Sequence, residues 1–136
     1  RLVVACSCLS CQKRTGSVFG VSSYFDNDQI MKISGQSKAY SSLSEDGRLN
    51  TRYFCPACGS TVYWYTGLFK GKTGVAVGCF ADPLFPKPTA ASWMRSKHEW
   101  VYFPQHWCLM QRQTPSPEYL EAFKRIQQPR KLIEPA

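Results

Sequence analysis

The chain has no long apolar run: none of its 136 residues belongs to a stretch approaching the roughly 20 apolar residues of a membrane span. It shows no export signal either, because Arg1-Leu2-Val3-Val4-Ala5 runs straight into cysteine with neither an apolar leader core nor a cleavage site. A cytoplasmic protein without a membrane partner is therefore expected. Charge is sparse, at 19% of residues against 43% hydrophobic and 14% aromatic, a balance that excludes extended disorder and supplies a core. Acidic residues are few, and 9 against 17 basic ones leave a net charge of +8. That excess attracts phosphates, carboxylates or anionic small molecules, but the basic residues are scattered, which suits a solvated surface as well as a nucleic-acid stripe. The length fits one domain.

What the chain does have is cysteine. There are seven, an odd number, in tight groups: Cys6-Ser7-Cys8-Leu9-Ser10-Cys11 and Cys55-Pro56-Ala57-Cys58, with Cys79 and Cys108 alone. A disulfide framework does not have this form, and in a reducing compartment such clusters bind metal more often than they pair. The C-x-C-x-x-C triplet puts three thiolates on six residues, which a tight loop can point at one zinc about 2.3 Å from each sulfur. One tetrahedral position then stays open, unless a remote ligand from Cys55, Cys58, His98 or His106 closes it. Alternatively, Cys8 and Cys11 with Cys55 and Cys58 form the two C-x-x-C pairs of a zinc ribbon, a non-catalytic module for nucleic acid or protein. Against the ribbon stand the superfluous Cys6 and a spacer from Gln12 to Phe54 well beyond the roughly 15 to 20 residues usual between such pairs. His98 and His106 each stand near tryptophan without ligand spacing and read as packed or surface residues. Cys79, in an apolar segment, reads as a small core residue, and Cys108 as a plain thiol.

The pattern predicts a mainly β protein. The first residues read as a strand leading into the metal loop. Residues 18–25 form a β-branched and aromatic run closed by Asp26-Asn27-Asp28, and a short apolar segment over 30–33 ends at Ser34-Gly35. Residues 38–43 alternate until the hairpin-type turn Ser44-Glu45-Asp46-Gly47; residues 48–54 rise into the second cysteine pair, and 61–65 fall away from it. Cys55 and Cys58 should therefore sit at a turn between two antiparallel strands. Further strands are predicted over 75–80 and 99–103, with the Pro83, Pro86 and Pro88 passage as a loop crossing from one sheet to another. A short helix is expected near the end, with Ser116 as N-cap, Pro117 in the first turn and Pro129 as its stop. Domain organisation is thus a zinc domain over 1–115, followed by a short helix and tail over 116–136.

Three thiolates more than cancel the charge of zinc, so such a site polarises a carbonyl poorly and favours a fourth thiol instead. It would lower the pKa of that thiol and present it to an electrophile. Lys13 and Arg14 follow the triplet at once and can meet the carboxylates of a tripeptide held by its thiol, or remain exposed loop charges. Arg52 reads as a strand-edge cation or the partner of a loop carboxylate. Tyr53-Phe54 and Tyr63-Trp64-Tyr65 can stack nucleic-acid bases or fill a β core.

The stretches Cys6-Ser7-Cys8-Leu9-Ser10-Cys11-Gln12-Lys13-Arg14-Thr15-Gly16, Arg52-Tyr53-Phe54-Cys55-Pro56-Ala57-Cys58-Gly59-Ser60, Gly78-Cys79-Phe80-Ala81-Asp82-Pro83 and Ser96-Lys97-His98-Glu99-Trp100 resemble the glutathione-dependent formaldehyde-activating enzyme family, which also includes centromere protein V. The resemblance implies a zinc-binding beta-tent fold of antiparallel sheets. It makes Cys6, Cys8 and Cys11 the open, catalytic zinc site and gives Cys55 and Cys58 to a second, structural zinc. An upstream C-x-C completes that second site in the family, so the natural chain is expected to begin before Arg1. The implied reaction is carbon-sulfur lyase chemistry, joining glutathione to formaldehyde as S-hydroxymethylglutathione; a carrier role or another thiol substrate is the alternative.

Overall fold

The computed structural model describes residues 2–44 and 47–112. The predicted C-terminal helix falls outside the described residues. The mainly β reading holds: eight strands form one sheet in the order β3-β4-β5-β6-β2-β1-β7-β8. They are β1 (Leu2–Cys6), β2 (Gly20–Asp26), β3 (Lys38–Leu43), β4 (Leu49–Phe54), β5 (Thr61–Thr66), β6 (Lys72–Ala76), β7 (Ala90–Ser92) and β8 (Cys108–Leu109), with one helix, α1 (Leu9–Thr15).

Strand β1 is covered on both faces, which is why Leu-Val-Val-Ala-Cys is apolar throughout instead of alternating. Leu2 and Val4 join Tyr24, Trp64, Phe69, Ala76, Ala90 and Met110 in the core. The Trp64 ring lies against Gly74, where a Cβ would overlap the indole; its Nε1 donates to Tyr24 Oη at 3.2 Å. Only glycine lets that ring rest on the sheet.

The structure corrects four expectations. First, the sheet is single and mixed: β1 and β8 both pair parallel with β7, whereas the other five pairings are antiparallel. The proline-rich passage crosses two strands of this sheet rather than passing to another, and by crossing it delivers β7 in the direction of β1. Second, the strand expected over 75–80 is Lys72–Ala76, and Val77–Phe80 is a 3-10 turn. It starts early because Lys72 is bridged to Asp26 and Thr73 Oγ1 donates to Asn27 Oδ1, both in or just after β2. Third, Cys79 leaves the core with that turn and is exposed. Fourth, residues 99–103 form no strand: only Val101 of the central three turns inward, while Trp100 (66%) and Tyr102 (85%) are exposed. The place beside β7 is taken by Cys108–Leu109.

The pairing has a consequence for the cysteines. Strands β1, β4, β6 and β7 run towards one end of the sheet, and β2, β3 and β5 start from it. Cys6, Cys8, Cys11, Cys55, Cys58 and Cys79 therefore all follow strand ends at that same end.

Candidate metal centre and adjoining cleft

Cys6 closes β1, Cys8 is the N-cap of α1, and Cys11 lies in its first turn. The sequence predicts a tight loop, but the convergence comes from a helical turn: Cys11 N–H donates to Cys8 Sγ at 3.2 Å, as a capping side chain requires. Gln12 locks the turn in place. Its Nε2 donates to Ser7 O (2.9 Å) and Ser96 O (3.0 Å), and its Oε1 meets His98 Nε2 at 3.2 Å. Ser7 N–H adds a bond to Ser92 O at 3.1 Å.

The three sulfurs lie within 4.8 Å of one another. Tetrahedral zinc with Zn–S bonds of about 2.3 Å needs sulfurs about 3.8 Å apart, so the donor set and its spacing fit that ion. Three cysteines can hold a metal here, and theirs is the sole such group of three among the described residues. Neither histidine joins it; His98 is exposed and turned to Gln12. Nor do Cys8 and Cys11 gather with Cys55 and Cys58 around one centre, as a ribbon demands. Without metal the three thiols shift one another in opposite directions. Hydrogen bonds from Cys6 and then Cys8, helped by the Arg14 and Arg52 charges, hold Cys11 well below the usual thiol range. Donation to Cys11 pushes Cys6 well up and Cys8 up to about 11.

Cys55 and Cys58 occupy the expected turn between antiparallel β4 and β5. Cys55 N–H donates to Ser60 O at 2.9 Å and Gly59 N–H to Cys55 O at 2.7 Å, with Gly59 in the left-handed region (φ 75°). Cys58 Sγ donates to Ser60 Oγ at 3.3 Å, and this serine, with Cys55 nearby, lowers the Cys58 thiol below its usual range. Cys79 Sγ donates to the carbonyl of Thr61, the next residue, at 3.4 Å.

From the triplet a cleft of about 530 Å³ extends along one face of the sheet. Cross-strand register identifies that face: Tyr40 pairs with Arg52 and Arg52 with Trp64, while Ser42 pairs with Asn50 and Asn50 with Thr66. Because strand side chains alternate, these even-numbered residues look the same way. Cations surround the space: Lys13 and Arg14 from α1, Arg48 beside the hairpin, and Arg52 from β4. No carboxylate lines it among the described residues.

Lys13 is exposed at the rim, but Arg14 is no loose loop charge. Its guanidinium lies 4.5 Å from the Trp64 ring centroid and over Gly20, where a Cβ would collide with it, and its buried Nη2 has no hydrogen-bond partner. Arg52 crosses from β4 to donate to Ser10 Oγ at 2.5 Å, so it meets the helix that carries Cys11 rather than a loop carboxylate. Sequence reading missed that role, although the alternation Arg48-Asn50-Arg52 places three polar side chains on one face. Trp64 is core and cleft floor, which removes it from any exposed base-stacking set; Tyr53, Tyr63 and Tyr65 pack together on the opposite face.

No helix among the described residues is long and apolar enough to cross a membrane. A search of curated proteins gives no match. The sequence model of the glutathione-dependent formaldehyde-activating enzyme family, in contrast, matches residues 1–96, a span holding the triplet, the Cys55–Cys58 turn and the cations of the cleft, and the chain belongs to that family.

Proposed function

We propose that this chain is a cytoplasmic, zinc-dependent carbon-sulfur lyase that joins glutathione to formaldehyde, with zinc at Cys6, Cys8 and Cys11. The observation that carries the reading is the placement of three converging thiols at the head of a cationic cleft with no described carboxylate. A zinc held by Cys6, Cys8 and Cys11 would bind a further thiol and lower its pKa. Glutathione brings two carboxylates, and Lys13, Arg14 and Arg52 are suited to bind and orient them. The unpartnered Arg14 Nη2 is a donor already held in place. With the tripeptide so fixed, the sulfur adds to the carbonyl carbon of formaldehyde; the carbonyl pair moves to oxygen, which takes a proton from solvent. The product is S-hydroxymethylglutathione. Orientation is the main contribution of these residues, since the addition also proceeds unaided. In this reading Cys55 and Cys58 serve a second, structural zinc.

Exchange spectroscopy by NMR on mixtures of formaldehyde and glutathione tests this against the uncatalysed rate. Zinc-loaded protein should accelerate the exchange. Arg52→Met should raise KM for glutathione about tenfold while leaving KM for a neutral thiol such as mercaptoethanol unchanged. Exchange at the background rate with fully loaded protein would overturn the reading.

A further inference from the structure

The far part of the cleft holds polar groups that the chemistry at the triplet does not use. Asn50 lies two residues before Arg52 on β4, about 7 Å further from the sulfur end. On either side its cross-strand neighbours are Ser42 of β3 and Thr66 of β5, so one register level presents a hydroxyl, an amide and a hydroxyl on the cleft face. Asn50 Oδ1 is buried and accepts no hydrogen bond. Thr66 Oγ1 already accepts from Leu68 N–H at 3.2 Å, which fixes that hydroxyl on the wall. An acceptor shielded from water and left without a donor is costly, and a turn of the half-buried Asn50 side chain toward a ligand N–H in the cleft would remove that cost.

We infer that Ser42, Asn50 and Thr66 form a distal subsite for the N–H-bearing end of a peptide-like thiol, with Asn50 Oδ1 as its acceptor and Asn50 as the residue that selects for length. The inference rests on the thiol-binding reading above and adds what lies beyond the sulfur. Glutathione has the required shape: from its sulfur an extended γ-glutamyl arm carries an amide N–H and then an ammonium about 10 Å away. Mercaptoethanol fills the sulfur position and cannot reach this level. The cleft is accordingly of a size for a ligand much larger than a small thiol.

The test uses full-length protein loaded with cobalt(II) in place of zinc, whose sulfur charge-transfer band reports thiol binding, alongside calorimetric titration with glutathione. Asn50→Leu should weaken glutathione about tenfold or more and leave mercaptoethanol unchanged, whereas Asn50→Asp, which keeps an acceptor, should retain glutathione affinity within about threefold. A third arm uses the glutathione analogue with hydrogen in place of the α-amino group. If Asn50→Leu no longer discriminates with the analogue, the ammonium is the donor; if it weakens both alike, the amide is. Either result supports the subsite. Equal glutathione affinity in wild type and Asn50→Leu, or equal loss of glutathione and mercaptoethanol, would overturn it while leaving the thiol reading intact. Wild-type protein that binds neither thiol would instead overturn the thiol reading, and the subsite with it. Thermal melts of both variants separate loss of binding from loss of fold.

Discussion

Two cysteine groups stand at the same end of one sheet, yet they are built differently. Cys6, Cys8 and Cys11 come from a strand end and a helical turn and are tied by Gln12 to backbone more than 80 residues away. Cys55 and Cys58 sit in a turn closed by its own residues, with Ser60 accepting from both the Cys55 backbone and the Cys58 thiol. The first group is half-buried or buried and faces a cationic cleft; Cys58 in the second is exposed. A thiol group framed by distant parts of the chain is preorganised to do chemistry, while one framed by its own turn is suited to hold that turn together.

The sharpest way to break the comparison is to remove one sulfur from each. Cys11→Ser should cost one equivalent of metal and abolish acceleration over the background reaction, at least a hundredfold. Cys58→Ser should leave the triplet's cobalt charge-transfer band in place and lower only the melting temperature. Metal analysis with absorption spectra of both variants decides it, and loss of the band in Cys58→Ser would show that the groups are not independent.

A smaller contrast concerns the ties. Gln12→Ala removes the side chain that bonds Ser7, Ser96 and His98, and should destabilise the fold by about 1–3 kcal/mol and loosen metal binding. Ser60→Ala removes only an exposed thiol's partner and should cost less than about 0.5 kcal/mol. Urea unfolding of the two variants measures the difference, and equal costs would contradict it.

A last contrast concerns pH, where the shifts of the three thiols act in opposite directions over successive ranges. In metal-free protein Cys11 ionises well below the usual thiol value of 9.0. From that point up to about pH 9 the unfolded chain binds more protons, so stability rises with pH. Cys6 is raised and Cys8 is pushed up to about 11, so from pH 9 upwards the folded chain keeps protons that the unfolded chain loses, and stability falls. Urea midpoints of chelator-treated protein should therefore peak near pH 9. A midpoint that climbs steadily to pH 11 would contradict the opposed shifts within the triplet.

What could be read from the sequence was what depends on neighbours in the chain. The Phe-Cys-Pro-Ala-Cys-Gly-Ser turn between two aromatic strands announces itself locally, and so does the spacing of the triplet. Glu99-Trp100-Val101-Tyr102-Phe103 carries strand composition, but a strand needs a partner, and the position beside β7 is taken by Cys108–Leu109. Cys79 looked apolar by its neighbours and was exposed by a 3-10 turn that begins three residues after Gly74. Arg52 looked like an edge cation because nothing near it in sequence says that Ser10, 42 residues earlier, would lie opposite.

One wall of the cleft is made by the β3–β4 hairpin, and neither strand contributes a residue to the hydrophobic core. Three of the proposed ligand contacts, Ser42, Asn50 and Arg52, thereby sit on strands that carry none of that core. Single exchanges at Tyr40, Ser42, Asn50 or Arg52 are therefore expected to leave the packed interior around Trp64 and Val4 in place. The sheet thus carries an interchangeable faceplate: a family built on it can diversify its ligands by rewriting alternate positions of one hairpin while the sulfur centre and the core behind it stay as they are.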